Sequence, residues 1–458
     1  MISENYKLTI TVKYGMLILR TGSDSRPEDF YFANEGKGYF MNLNEEALQI
    51  HKEHNGKLTT VPKAKLENAH DLSVLYTPGV AEPCRKIRED KDLSFDYTCR
   101  GNMVAVVSDG TRVLGLGNIG PEAGMPVMEG KSVLYKVFAD IDSVPICLDT
   151  TDKDKFVEAV RYLQPSFAGI NLEDIESPKC FDVEDELIEK MDIPVFHDDQ
   201  HGTAIACAAA LINALRFVKK DLRTARIVIN GVGAAGSAII RLLLSLGAEN
   251  VVMVDAMGIM YDGMETHVLN RIQIDLLKRT NKDQLRGNLL DAAKGADVLL
   301  GVSRPGLFIP EIIQCMNTDS IVFAMANPIP ETSYDAAKEA GAKVVGTGRS
   351  DSPNQVNNVL VFPGLFRGAI DVRARKINEA MKRAAVHAIG ELIADQDLRE
   401  DYIIPGVFDP RVAPAVAAAV AKAAMDTGVA RVSVDPEEIR QRTTERTARL
   451  REFIKTLP

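Results

Sequence analysis

Residues 226–236 read Arg-Ile-Val-Ile-Asn-Gly-Val-Gly-Ala-Ala-Gly, an apolar β-like run that breaks directly into Gly231-Val232-Gly233-Ala234-Ala235-Gly236. A GxGxxG pattern alone is weak, because glycine runs mark many ordinary turns. Here its context is complete. A strand precedes it, an apolar helical stretch from Ser237 to Leu246 follows, and a second β run from Asn250 to Val254 ends in Asp255. In a dinucleotide fold the first glycine makes the tight turn, the second lets the backbone approach a pyrophosphate, and the third lets helix pack on strand. The phosphates then meet the free N–H groups and positive dipole end of the helix. Gly231, Gly233, Ala234, Ala235 and Gly236 are therefore the candidate cofactor-binding residues. Asp255, about 20 residues on, suits the ribose hydroxyls and would repel a 2′-phosphate. The expected cofactor is NAD, with NADP as the alternative.

Working outward, strand–helix alternation runs from about 217 to 390, as a doubly wound sheet requires. Residues 43–216 are also mixed α/β. Three short apolar runs there end in polar or acidic groups: Val144–Asp149, Phe167–Asp174 and Ile193–Asp199. Helical patterns such as 153–163 and 183–190 separate them, which implies a parallel sheet. Ligands bind outside the carboxyl ends of such strands, so these acids converge where a site belongs. From 391 to 458 the pattern is largely helical. Val412–Met425 is rich in alanine, which suits close helix packing, and Glu437–Lys455 reads as a charged helix solvated on most faces. Residues 1–42 stand apart, with one or two strands expected in Tyr6–Leu19 and a turn cluster at 22–27. No role follows for them.

The chain has 458 residues, room for two or three domains, and 46% hydrophobic content. A net charge of −10 and a pI near 5.4 give no basic field for nucleic acid. An acidic protein that binds small anions must focus positive charge locally. The six cysteines form no CxxC pair and read as reduced. Neither a signal peptide nor a membrane-spanning run is evident, so a cytoplasmic protein is expected.

Glu173-Asp174 and Asp198-Asp199 end two successive strands. One acid there reads as a helix cap; four at neighbouring strand ends repel one another unless a cation holds them. Oxygen donors alone suit Mg²⁺ or Mn²⁺. His197 and His201 would make a zinc pair only on one continuous helix, and a strand end and Gly202 intervene, so they are expected to hydrogen-bond within the site. Lys131 follows Glu129-Gly130 and is expected to open a helix from Ser132. Val107–Asn118 reads as two strands around a turn and then a glycine-rich loop. Desolvation there would lower the lysine's pKa and make it usable as a base, whereas spacing alone reads it as a solvated lysine. Tyr76 reads as core or as a proton donor. Asn327, Asn357 and Asn358 sit at loop tips, where amides bind carboxylates or carboxamides or simply make turns.

Taken together, these strings resemble the malic enzyme family. The matching segments are YTPGVA at Tyr76, DGTRVLGLGNIG at Asp109, MEGK ending at Lys131, NLEDI at Asn171, FHDDQHGTA at Phe196, INGVGAAG at Ile229, ANPIPE at Ala326 and NNVLVFPGLFRGA at Asn357. They span roughly 45–425 in the family's order. The resemblance implies an N-terminal malic domain over 43–216, a Rossmann-like dinucleotide-binding domain over 217–390 and C-terminal helices. It implies Lys131 as general base, Tyr76 as general acid and Asp198 as the residue that tunes the base. It further implies Glu173, Asp174 and Asp199 as metal ligands and Arg112 as the grip on a substrate carboxylate. Asn327 and one of Asn357 or Asn358 would contact malate or the nicotinamide end. The implied reaction is conversion of malate to pyruvate and CO2, with oxaloacetate decarboxylation beside it, in a homodimer or homotetramer. Residues 1–42 match neither the short bacterial form nor a full regulatory ACT domain, and no phosphotransacetylase-like extension is expected. Rival readings are an oxaloacetate decarboxylase, a malolactic enzyme, ranked low because it usually resembles the larger form, and a non-catalytic dinucleotide sensor.

Overall fold

The computed structural model describes residues 43–456, and before them the backbone of four strands. Two compact units result, residues 1–63 and 64–458. In the first, Leu8–Lys13 pairs antiparallel with Met16–Thr21, and Tyr31–Phe32 with Met41–Asn42. A helix, Leu43–His54, follows. The turn cluster expected at 22–27 lies outside the described residues.

The second unit holds two sheets. The smaller has β1 (Met103–Ser108), β2 (Asp142–Cys147), β3 (Gly169–Leu172) and β4 (Val195–His197), in the order β2-β1-β3-β4 and all parallel. Its helices include α1 (Pro121–Ala139), α2 (Lys179–Lys190) and α3 (Asp198–Val218). The larger has β5 (Arg226–Asn230), β6 (Asn250–Asp255), β7 (Gly258–Ile259), β8 (Val298–Gly301), β9 (Ile321–Ala324) and β10 (Val344–Thr347), in the order β7-β6-β5-β8-β9-β10. Only the short edge strand β7 runs antiparallel. This is the doubly wound order, with its switch point between β5 and β8, and α4 (Ala234–Ser245) leads off β5. The expected α/β class with parallel sheets is what the structure has.

Three local expectations need correction. Lys131 does not open a helix. Proline at the first helical position, Pro121 after Gly120, starts α1 ten residues earlier, so Lys131 lies mid-helix on a buried face. The stretch 107–118 holds one strand end, not two strands; after Ser108 only an isolated bridge joins Val113 to Gly117. The helix expected near Thr203 begins at Asp198, straight from β4.

The C-terminal helices are α5 (Phe362–Asp371), α6 (Glu379–Gly390), α7 (Val412–Asp426) and α8 (Pro436–Ile454). Alanine in α7 does the expected work. A Cβ at Gly364 would lie 2.8 Å from Val416 Cβ and one at Gly368 2.3 Å from the Ala417 carbonyl, so α5 and α7 touch backbone to backbone. In α8 only Ile439, Thr443 and Thr447 are buried, a single stripe at helical spacing. By length and apolarity α3 matches a membrane span, but it is largely buried among the helices and strands of this unit.

Candidate active site

Lys131 is 7% exposed, and its Nζ lies 2.6 Å from Asp198 Oδ2 and 2.8 Å from Glu173 Oε1. The ammonium also sits 4.3 Å from the centre of the Phe362 ring. Burial works against this cation, but Asp198, Glu173 and Asp199 outweigh it and hold its pKa above the ordinary lysine value. The expected lowering is therefore wrong for this charge state. Desolvation and the convergence of the acids were foreseen; that their joint field would outweigh the desolvation was not.

Each acid is placed by the end of its strand. Glu173 and Asp174 follow β3, and Asp198 and Asp199 open α3 directly after β4. Asn171 Nδ2 donates to Glu173 Oε2 at 2.8 Å, and its Oδ1 accepts from Tyr135 Oη at 2.9 Å. Asp174 takes the left-handed conformation, φ 55°; its N–H donates to Asp199 Oδ2 at 2.8 Å and its carbonyl accepts from Arg112 N–H at 3.0 Å. Burial, then repulsion from Asp199 and Glu173, raises Asp174; burial also raises Glu173 and Asp199 above their usual range and brings Asp198 to about 7. Asp174 Oδ2 is buried without a partner. Among the described residues no three acidic, imidazole or thiol groups are arranged to hold a metal as they stand. The donor chemistry nevertheless fits a hard cation: oxygens only, mutually repelling, one of them unsatisfied.

The dinucleotide loop has the geometry its glycines predict. Gly231 sits at φ 103°, and a Cβ there would lie 2.8 Å from the Val302 carbonyl. At Gly236 a Cβ would fall 1.8 Å from the Gly231 carbonyl, whereas at Gly233 it would meet nothing within 4 Å, leaving open space above the loop. Asp255 ends β6, and one of its oxygens accepts Met257 N–H at 2.7 Å. The two halves meet at the site. Asn358 Nδ2 reaches Asp198 Oδ2 at 2.5 Å, and Gly115 packs so tightly that a Cβ would be 2.8 Å from Pro328 Cδ, beside Asn327.

Residues 55–188 match the family described as malic enzyme, N-terminal domain, and residues 200–425 match malic enzyme, NAD binding domain. The chain belongs to the malic enzyme family. It is 56% identical over 407 residues to the bifunctional malic/malolactic enzyme of Bacillus subtilis, covering 89% of this chain and 99% of that one. It is 50% identical over 391 residues to the NAD-dependent malic enzyme of Geobacillus stearothermophilus, covering 85% and 81%. The malic enzyme structure from Pyrococcus horikoshii superposes with a TM-score of 0.87 at 46% identity, covering 90% of this chain and 98% of that one. Further relatives carry the name NADP-dependent malic enzyme.

Against this malic enzyme frame the other anticipated residues divide. Arg112 is exposed beside Asp174, and no ion pair involves its guanidinium among the described residues. Asn327 is exposed at the loop after β9. Asn357 spends its amide oxygen on Val359 N–H as a cap. Tyr76 is 67% exposed and forms no hydrogen bond with Lys131. His201 hydrogen-bonds within the buried network as expected, to Glu184 at 2.9 Å. His197 joins the network only through its backbone N–H; both ring nitrogens are buried without a hydrogen-bond partner, Nε2 lying 4.0 Å from Asp199 Oδ2, and burial lowers the ring's pKa to about 4.

Several contributors escaped the sequence reading. Tyr135, four residues after Lys131, shares its helix face, and that spacing was a usable signal. Buried Glu331 accepts Ser303 N–H at 2.7 Å and Ala326 N–H at 3.0 Å, tying together the loops after β8 and β9. Asp109 holds the 109–112 turn through Thr111 and pairs with Lys179 at 2.6 Å. Both acids lie inside strings already singled out, Asp109 in DGTRVLGLGNIG and Glu331 in ANPIPE, but the sequence reading gave neither a role.

Proposed function

We propose that this chain is an NAD-dependent malic enzyme that oxidises L-malate and releases pyruvate and CO2. The observation that carries the reading is the buried Lys131, held between Asp198 and Glu173 at the meeting point of the two sheets. Lys131, as the neutral amine, would take the proton from the C2 hydroxyl; a cation held by Glu173 and Asp199 would offset the carboxylates that otherwise keep the lysine charged. Asp198, with Asn358 on the same oxygen, fixes its position. Arg112 binds a substrate carboxylate, and Asn327, Asn357 and Asn358 line the substrate and nicotinamide side. Glu173, Asp174 and Asp199 hold Mg²⁺ or Mn²⁺, which when bound acts as a Lewis acid on the substrate's oxygens. Gly231, Gly233, Ala234, Ala235 and Gly236 cradle the pyrophosphate of the hydride acceptor, and Asp255 favours NAD over NADP. In this division, 43–216 supplies the catalytic part, 217–390 the dinucleotide part and 391–458 the helical tail. Oxaloacetate decarboxylation follows from the same machinery, in a cytoplasmic setting.

Tyr76 is the proton donor to C3, and its exposure supports a homo-oligomer in which it serves a neighbouring copy's site. The helices Ala69–Leu75 and Ala81–Glu89 have no buried residue, while Leu72, Val74, Leu75 and Val80 are exposed around the tyrosine. A face so apolar is expected to be covered.

The test mixes protein, malate, Mn²⁺ and NAD. A rise in absorbance at 340 nm matched by pyruvate supports the reading; its absence with both NAD and NADP overturns it. One relative favours a second outcome. A protein of similar length bears malolactic in its name, so size does not rank that activity low. Lactate formed without net NADH would establish it.

A further inference from the structure

Glu184, on α2, is 4% exposed and touches none of the residues assigned a chemical role above. Its Oε1 accepts His197 N–H at 2.9 Å, and its Oε2 accepts from Gln200 Nε2 at 3.1 Å and His201 Nε2 at 2.9 Å. These three donors bracket Asp198 and Asp199. The carboxylate thus grips the turn from β4 into α3 at both ends. The grip continues outward: Lys382 Nζ, on α6, lies 3.2 Å from His201 Nδ1 and 2.9 Å from Glu379 Oε1. A small cavity beside these groups is lined by Ala238, Arg241 and Leu242 of α4, so the network sits where α3, α4 and α6 meet.

A buried carboxylate is costly unless its oxygens are satisfied. Burial alone would raise Glu184, but His201, Lys382 and His197 outweigh it and hold its pKa at about 2. A neutral amide could not accept all three bonds, since one end of it is a donor.

We propose that Glu184 is a positioning residue that sets the Asp198–Asp199 turn, backed by His201 and by Lys382 from α6. The inference rests on the proposed roles of Asp198 and Asp199. It predicts that loss of Glu184 misplaces a metal ligand and the partner of Lys131 while leaving the dinucleotide loop untouched.

The experiment compares wild type, Glu184→Ala, Glu184→Gln and Lys382→Met. It measures Mn²⁺ affinity by calorimetry on metal-free protein, NAD affinity by fluorescence, the melting temperature, and kcat. Expected for Glu184→Ala are Mn²⁺ binding weakened about tenfold or more and kcat reduced about 10–100-fold, with NAD affinity within about twofold of wild type, a size usual for residues that orient metal ligands. Glu184→Gln should fall between, and Lys382→Met should shift Mn²⁺ affinity the same way but less. If Glu184→Ala does not fold, the other two variants decide by the same criteria. Mn²⁺ affinity unchanged in the folded variants, or NAD and Mn²⁺ affinity falling together in step with melting temperature, overturns the inference. Wild type that binds no Mn²⁺ overturns the parent reading and this one with it.

Discussion

Gly202→Ala tests the site through one added carbon. Gly202 lies in α3, where replacing glycine by alanine ordinarily stabilises a helix by about 1 kcal/mol. Here the new Cβ would stand 1.9 Å from Asp198 Oδ1, 2.7 Å from its Cγ and 3.1 Å from Asn358 Cβ. The carboxylate must move, and its other oxygen holds Lys131 at 2.6 Å and Asn358 at 2.5 Å. Hydrogen bonds to charged groups contribute about 1.5–3 kcal/mol each, so losing both costs roughly 3–6 kcal/mol. If that geometry is needed in the transition state, kcat falls by about 10²–10⁴-fold. A carboxylate that swings and recovers one bond gives the lower end. The assay is steady-state malate oxidation at saturating Mn²⁺ and NAD, with NAD affinity and melting temperature measured alongside. We expect turnover to collapse while NAD binding stays within about twofold. Turnover within about threefold of wild type would refute the argument that Asp198 needs this position.

Three further outcomes follow from the same geometry. Lys131→Ala is expected to lose at least about 10²-fold in malate oxidation and to bind NAD normally, since positioned acid–base groups contribute about 10²–10⁴-fold; more than a tenth of wild-type turnover removes Lys131 as the base. Asp255→Ala is expected to gain kcat/KM with NADP and lose it with NAD, because two like charges about 4 Å apart cost on the order of 1–4 kcal/mol; no gain for NADP means that Asp255 does not read the ribose. For His197, the folded pKa of about 4 lies below the ordinary histidine value, so the unfolded chain takes up the proton first as pH falls. Its contribution to stability is full above pH about 6.5 and is lost toward pH 4, on the order of 3 kcal/mol; His197→Gln should flatten the melting-temperature profile across that window, and an unchanged slope would sink the assignment.

The dinucleotide half was legible because its rules are local. A strand, three glycines and a helix lie within 20 residues, and the positive φ of Gly231 and the close approach of Gly236 to the Gly231 carbonyl are set inside that stretch, although the distant Val302 carbonyl also crowds Gly231. The catalytic half was legible as a set of residues but not as an electrostatic object. Lys131 shows why. Read along the chain, it follows a glycine and precedes an apolar stretch, which suggests a helix start and a partly desolvated amine. In three dimensions Pro121 begins the helix earlier, and the helical period that turns Lys131 inward also turns Tyr135, four residues on, toward Asn171. The charges that decide the lysine's state come from Glu173 and Asp198, 42 and 67 positions away, and no window of sequence contains them with it. Their joint field reverses the direction that desolvation alone predicts. The same separation hides Glu184, whose partners lie 13 to 17 residues further on across a strand. Local pattern therefore names the groups that gather at this site, while their protonation and aim are set by sheet order, because only the parallel stacking of β1, β3 and β4 brings the ends of distant segments to one edge.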